Sequence, residues 1–572
     1  MSSPFPSLQT KTLPTPAIWD IPPSASLKSA LESRFTPLQT TYPGMLRFSK
    51  TKKLGNFLRF DHKWHLEEII GAVPCRSGSF SGKVRGFKDG TATNQVADIS
   101  GFCKMTHLLD AYRMIQGSYP VAQHPALPSP GRKSAKVYSK LHDPHNQAYV
   151  DAVACYMLSK FREAEHSPHF SLFYGAYLAI AKQYYYNITE DFPDIRFESW
   201  FWRQQTKGNF KLIGFNGSEA MDESDPLLEA PEDLSECESD SSSESESSEV
   251  SELYGYKSSE KLVDSQSLHS ASISTANSSR SDDSNGSDYS DEIGEEVKIF
   301  AALSEFPTML MFLESNKDTM DSLLDNEQEV GATKGTPEWE ARWIAWLFQV
   351  TAALCQIQSL WAMTHNDLHS NNILWTPTDK VYFYYSSLDG STWKVPTYGK
   401  LFRIIDFGRA IFTHNNTLCI SDDYWPENEA GSQYNFGPLY NPSQPKVYPN
   451  PSFDLSRLSV SIIEALFRDI PDDKEGGYIL SNEYDRTQNE TVSPLFNLLW
   501  SWLIDEDGRN ILWNGDNSER YPGFDLYSII AKKVKCAVPR EQLNKDVFAD
   551  FICGESGSFV APAGEKVYSL FC

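Results

Sequence analysis

The run His365-Asn366-Asp367-Leu368-His369-Ser370-Asn371-Asn372-Ile373-Leu374 places a carboxylate and a carboxamide five positions apart, just ahead of an apolar stretch. An aspartate in such a loop can accept the proton of an attacking hydroxyl, and an asparagine at that distance can hold a divalent metal ion. Downstream, Phe402-Arg403-Ile404-Ile405 reads as a short apolar strand that ends in Asp406-Phe407-Gly408, a second carboxylate delivered at a strand end. Phosphoryl transfer asks little covalent help of a protein. It needs metal ions to neutralise developing charge, and carboxylates to keep metal and nucleophile in line. On this reading Asp367 orients the nucleophile with His365 and His369 beside it, and Asn372 and Asp406 serve the metal. A merely structural polar loop with the same letters is the alternative. The regular elements on both sides of the loop weigh against it.

Those elements are legible in the pattern. Thr336-Pro337 is a helix start, with Thr as cap and Pro at the first helical position. Ile344, Leu347, Val350, Leu354 and Ile357 then recur at helical spacing, so a long amphipathic helix leads directly to His365. Tyr149 to Glu165 is helical in pattern. Val297 to Leu313 reads as two short strands broken at Glu305-Phe306-Pro307, which predicts a hairpin.

In this order and spacing the chain resembles the protein-kinase superfamily over about residues 65 to 572, and especially haspin-like kinases and kinase-like proteins of large DNA viruses. Asp367-Leu368-His369 followed by Asn372 carries part of the likeness, because typical Ser/Thr kinases have Lys where His369 stands. The wide separation of Leu374 from Leu401, filled by Val381-Tyr382-Phe383-Tyr384-Tyr385 and Trp393-Lys394-Val395, is a second point of similarity to the haspin branch.

The resemblance assigns further roles. Gly78-Ser79-Phe80-Ser81-Gly82-Lys83-Val84 looks like a glycine-rich loop over ATP phosphates, with Arg76 in place of the usual first Gly and Ser81 inserted. Gly78, Phe80, Gly82 and Val84 are thereby implied in nucleotide binding. Ile99-Ser100-Gly101-Phe102-Cys103-Lys104-Met105 would be the third strand, with Lys104 on phosphate; Lys140 in Val137-Tyr138-Ser139-Lys140-Leu141 is the second candidate. Asp151 is the implied acidic partner of the lysine, replacing the usual Glu. Ser167 to Gly175 resembles the entry to the fourth strand. Leu310-Met311-Phe312-Leu313-Glu314-Ser315-Asn316 resembles the hinge that receives adenine on backbone groups, which implicates Phe312 and Glu314. Asp454, in Pro451-Ser452-Phe453-Asp454-Leu455, would brace the catalytic loop. No A-P-E element is recognisable between Asp406 and Asp454.

The implied fold is α+β and bilobal. An irregular arm at 1–45 precedes a small β-rich N-lobe at 46–330, and a larger helical C-lobe follows at 331–572. The implied activity is ATP- and Mg²⁺-dependent transfer of the γ-phosphate to a hydroxyl, on Ser or Thr of a protein substrate. His369 and the missing A-P-E leave a small-molecule acceptor open. The imperfect glycine loop leaves a pseudokinase scaffold open, against which Asp367, Asn372 and Asp406 all argue.

Composition bounds the rest. With 40% hydrophobic and 13% aromatic residues, the chain has side chains for a sizeable core. The net charge is −25, but residues 217–296 alone hold 23 Asp or Glu against three basic residues, which leaves only five net negative charges elsewhere. That segment is too polar to offset its ordering entropy and is expected to be a long disordered insertion in the N-lobe. Its serines ahead of acidic residues suit an acid-directed kinase, and a solvated spacer is the plainer reading. The bulk charge gives no basic footprint for nucleic acid. Nine scattered cysteines without a CxxC pair fit reduced thiols. With no secretory leader and no bilayer-length apolar run, the expectation is a cytoplasmic or nuclear protein with no membrane partner.

Overall fold

The computed structural model describes residues 22–40, 61–88, 91–119, 126–128, 138–216, 219–221, 225–231, 297–414, 417–426, 428, 430–434, 449–475, 491–516, 518–553, 561–562 and 564–572. Most of the acidic stretch, from 232 to 296, lies outside the described residues, and with it the serines expected as targets of an acid-directed kinase.

The architecture is mixed α+β. Its largest sheet comprises β1 (Phe35–Gln39), β2 (Trp64–Ile70), β3 (Gly78–Lys88), β4 (Thr91–His107), β5 (Phe173–Asn187), β6 (Lys211–Asn216), β7 (Glu219–Ala220) and β8 (Val297–Glu314). The order is β1-β5-β8-β4-β3-β2, with β6 also paired to β8 and β7 to β6, and the pairings are antiparallel. The helix Gln147–Glu163, capped by the Asn146 side chain on Ala148 N–H, buries nearly its whole length beside this sheet.

Three expectations for this half are corrected. Part of the arm expected to be irregular is regular: Ser24 caps the helix Ala25–Glu32, whose Leu27 and Leu31 fall one turn apart and are buried, and β1 then pairs with β5. The expected hairpin at 297–313 is instead one continuous strand, β8. Glu305 takes a left-handed φ of 53° within it, yet the register with β5 is the same on either side, Ser304↔Gln183 and Phe306↔Ala181.

The third correction concerns Gly78 to Val84, which form strand β3 and not a loop, in register with β4 from Gly78↔Cys103 to Val84↔Ala97. The connection between β2 and β3 lies earlier, at 71–77. Alternating burial of Phe80, Gly82 and Val84 marks one face of a strand. The glycines make room for a ring. A Cβ on Gly101, directly across from Phe80, would run into the Phe80 ring, and one on Gly82 would lie 2.5 Å from Glu68 O and 3.0 Å from Phe80 Cε2. Phe80 therefore lies on bare backbone and meets Phe312 edge-to-face at 5.7 Å. Gly101→Val is expected to cost about 1–3 kcal/mol through overpacking. The cost should fall when Phe80→Leu is added, as thermal melting of the single and double variants will show.

The second half starts from the long helix Pro337–Trp361, capped by Thr336 on Trp339 N–H and terminated by Ala362 at a left-handed φ of 49°. Trp339, Trp343 and Trp346 are buried on it and pack ring to ring. A small sheet joins β9 (Asp318–Thr319), β10 (Ile373–Pro377) and β13 (Lys400–Ile404) in the order β13-β10-β9. Between β10 and β13 the chain makes the hairpin β11 (Tyr382–Ser386) and β12 (Thr392–Pro396), and the strand Val567–Ser569 lies parallel to β11. The helices Phe453–Leu466, Pro494–Ser501 and Asp525–Lys533 complete this half, and one apolar core runs through both halves. Among the described residues no helix is long and apolar enough to cross a membrane.

Candidate active site

The long helix delivers the chain to Thr364, which pairs with Ile411 through two 3.0 Å backbone hydrogen bonds. The next two N–H groups turn onto one carboxylate: His365 N–H donates to Asp454 Oδ2 at 3.0 Å and Asn366 N–H to Asp454 Oδ1 at 2.9 Å. Asp454 is fully buried at the start of the helix Phe453–Leu466, and burial pushes its carboxyl above the usual range against the pull of His365 and these two donors. Asn366 sits at φ 64°, a conformation asparagine tolerates. Its side-chain amide donates to Thr364 Oγ1 at 2.9 Å and to Arg409 O at 3.2 Å, and its Oδ1 accepts from Tyr434 Oη at 2.6 Å. The loop is thus bolted down just before Asp367.

Asp367 presents both oxygens to donors. Oδ1 accepts from Tyr527 Oη at 3.0 Å, and Oδ2 lies 3.5 Å from the Arg409 guanidinium. Arg457 Nε in turn donates to Tyr527 Oη at 2.9 Å. Burial is the largest influence on the Asp367 carboxyl and raises it, but the surrounding groups, Arg409 foremost, together outweigh burial and hold the carboxyl ionised, below the usual carboxylate range. His365 accepts from Asp367 N–H on Nδ1 at 3.3 Å and contacts Ile405 O through Nε2 at 2.7 Å, so the ring carries its proton on Nε2. Asn372 Nδ2 donates to Asp367 O at 2.9 Å and also meets His369 Nε2 at 3.0 Å. The first contact fixes that atom as the amide nitrogen, so His369 Nε2 accepts. Burial also pushes His369 down to about 4. With its nitrogen engaged, Asn372 has its amide oxygen as the atom suited to a metal.

Strand β13 runs antiparallel to β10, with Ile404 opposite Ile373, and Ile405 N–H donates to Asn372 O at 3.0 Å. This tie sets Asp406 beside the loop, at φ 62° and with its side chain 45% exposed. Lys104, within β4, reaches Asp151 Oδ2 at 2.6 Å and Asp406 Oδ1 at 2.9 Å. The other oxygen of Asp151 accepts from Phe407 N–H at 2.9 Å, so one buried carboxylate positions both the lysine and the backbone after Asp406. Burial opposes the charge on Lys104, but Asp151 and Asp406 together hold its pKa above the usual lysine range. Burial likewise pushes Asp406 up, and Lys104 reverses this and pulls it down to about 2.

The structure therefore brings together Lys104, Asp151, His365, Asp367, His369, Asn372 and Asp406. The remaining candidates are built into the sheet. Gly78, Gly82 and Val84 are β3 positions, and Phe80 packs on Phe312. Glu314 gives its N–H to Leu172 O at 2.9 Å, while its side chain takes both terminal nitrogens of Arg162 and lies 3.2 Å from Arg403. The Glu314 N–H is therefore already paired within the protein. The alternative lysine, Lys140, lies on a single 3₁₀ turn, Ser139–His142, and pairs with Asp422 at 2.9 Å. Lys104→Met is expected to lower any nucleotide-dependent activity at least tenfold more than Lys140→Met, since only Lys104 touches the central carboxylates. Parallel rate measurements on the two variants check this.

Arg409, Tyr527, Asp423 and Gln147 were not singled out in the sequence. Arg409 carries a local signal, since it directly follows Asp406-Phe407-Gly408. Tyr527 carries none: it stands 160 positions from Asp367.

Oxygen ligands from Asp406 and Asn372 suit a hard cation that keeps water and phosphate in its remaining positions, as Mg²⁺ does. Among the described residues no group of three His, Cys, Asp or Glu side chains is placed to hold a metal ion. No protein-family model matches the chain, and no curated protein matches it.

Proposed function

We propose that this chain is an ATP- and Mg²⁺-dependent phosphotransferase of the bilobal, protein-kinase-like kind, which moves the γ-phosphate of ATP to a hydroxyl on Ser or Thr of a protein. The observation that carries this reading is Lys104 held between Asp151 and Asp406, beside a loop that offers ionised Asp367 and Asn372. On this reading the eight-stranded sheet with the helix Gln147–Glu163 would make up the smaller lobe, and the helices that follow Pro337 the larger.

Each side chain has work suited to its surroundings. Lys104 neutralises phosphate oxygens and is aimed by Asp151. Asp406 and Asn372 would hold Mg²⁺. When bound, that ion supplies the positive charge that phosphate oxygens need as they leave. Asp367 accepts a hydrogen bond from the acceptor hydroxyl and then its proton, while Asp454 keeps the loop fixed from beneath. A small-molecule hydroxyl is the second reading, favoured by His369 standing where typical Ser/Thr kinases have Lys and by the lack of a recognisable A-P-E element. Incubating the full chain with γ-labelled ATP, Mg²⁺ and panels of proteins and small hydroxyl compounds tests the proposal. Label on protein Ser or Thr supports the first reading, label on a metabolite the second, and label on neither contradicts both.

A further inference from the structure

We propose that Arg409 is the cation that meets the transferring phosphoryl group at the Asp367 end of the site, an assignment that rests on the phosphotransferase reading above. In that transfer the acceptor oxygen forms a bond to the γ-phosphorus. The bond from phosphorus to the bridging oxygen of ADP breaks, the electron pair leaves with ADP, and the hydroxyl proton passes to Asp367. Negative charge is spread over the three equatorial oxygens meanwhile, so a cation at the acceptor end lowers the barrier if it is already in place.

The side chains near Asp367 narrow the choice. His369 accepts a hydrogen bond on Nε2 and His365 accepts one on Nδ1, so neither ring is a doubly protonated cation in this arrangement. Arg457 is buried, donates to Tyr527 Oη and lies 5.1 Å from the Tyr527 ring, one residue removed from Asp367. Lys104 is committed to Asp151 and Asp406 on the metal side. Arg409 is the cation in direct contact with the Asp367 carboxylate among the described residues.

Its placement is built from several elements. Arg409 O accepts from Tyr424 Oη at 2.5 Å and from Asn366 Nδ2 at 3.2 Å, which ties its backbone to the residue next to Asp367. Its Nε lies 3.7 Å from Asp423 Oδ2, and Asp423 accepts from Gln147 Nε2 at 2.8 Å. Gln147 opens the helix that carries Asp151, so the helix that aims Lys104 at one end of the phosphate chain also steadies Arg409 at the other. A guanidinium distributes its charge over five N–H donors in a plane, which suits bridging a carboxylate and a phosphoryl oxygen. As Asp367 takes up the hydroxyl proton its hold on Arg409 weakens, while the charge on the phosphoryl oxygens is at its greatest.

The test uses the full chain with Arg409→Met, Arg409→Lys and Arg409→Ala, reading turnover, Mg·ATP affinity by calorimetry and the melting temperature. Expected for Arg409→Met is a fall in kcat of about 10³-fold or more, the size of effect an arginine on a transferring phosphoryl group has elsewhere, with Mg·ATP affinity unchanged. Added guanidinium is expected to restore part of the Arg409→Ala turnover. Should Arg409→Met not fold, Arg409→Lys decides: a fall of at least about tenfold at unchanged melting temperature supports the assignment, because lysine keeps the charge and loses the fork. Wild-type-like kcat in either variant overturns it, as does a loss of turnover that only follows lost ATP affinity or lost melting temperature, or a failure of guanidinium to rescue. If the wild-type chain binds Mg·ATP and transfers phosphate while Arg409→Met does so equally well, this assignment alone falls. If the wild type transfers nothing, the phosphotransferase reading falls first and takes this one with it.

Discussion

Asp367→Asn is expected to lower phosphate transfer by about 10²–10⁴-fold, the range spanned by loss of a positioned general base. The substitution keeps the shape of the side chain and an oxygen that can accept from Tyr527 Oη, but it removes the charge that faces Arg409 and the site that takes the hydroxyl proton. Neither proposed metal ligand is touched, and the Asp367 carbonyl that Asn372 binds is unaltered. Mg·ATP affinity measured by calorimetry is therefore expected to stay near the wild-type value while single-turnover transfer collapses. Transfer at the wild-type rate would remove Asp367 from the role assigned here.

The second large effect is expected at Asp406. Its carboxyl, which partial burial pushes up and Lys104 pulls down to about 2, is ionised at any physiological pH, and 45% of its side-chain surface stays exposed, which suits the metal role proposed for it. Asp406→Ala is expected to abolish the Mg²⁺-dependent part of ATP binding, weakening metal affinity by at least the roughly 10–100-fold typical of losing even an indirect metal partner. Alanine at φ 62° adds backbone strain of its own, so Asp406→Asn, which tolerates that conformation, is the companion variant. Titrations of ATP with and without Mg²⁺ read the effect in both. Equal Mg²⁺ enhancement in wild type and Asp406→Asn would place the metal elsewhere.

What could be read in the sequence was what depends on neighbours along the chain. The helix from Thr336-Pro337, the loop from His365 to Asn372 and the strand ending in Asp406 each follow from local spacing. Their juxtaposition needs only the short β10–β13 pairing. Lys104 and Asp151 could be named because one falls in an apolar strand and the other in the first turns of a helix, although their meeting at 2.6 Å spans 47 positions.

The features that were missed depend on distant partners. Gly82 and Gly101 carry no mark of their purpose until β3 and β4 are set in register and Phe80 is seen lying across them, so a glycine-containing stretch was taken for a loop. Pro307 in β8 argued for a break, whereas pairing with β5 keeps one register on either side of the left-handed Glu305 and leaves the strand whole. The side chain of Glu314 pairs with Arg162 and Arg403, partners that no local pattern announces. Tyr527 and Arg457 reach the site from helices far down the chain, and no local pattern connects them to Asp367.

The most direct measurement is transfer of label from γ-labelled ATP to an acceptor hydroxyl by the full chain, run with and without Mg²⁺ and beside Asp367→Asn. Transfer that requires Mg²⁺ and is lost in Asp367→Asn is the expected result. Absence of transfer by the wild-type chain at saturating Mg·ATP across protein and small-molecule acceptors, or transfer that survives unchanged in Asp367→Asn, would contradict the proposal that Asp367, Asn372, Asp406 and Lys104 form a phosphotransfer site.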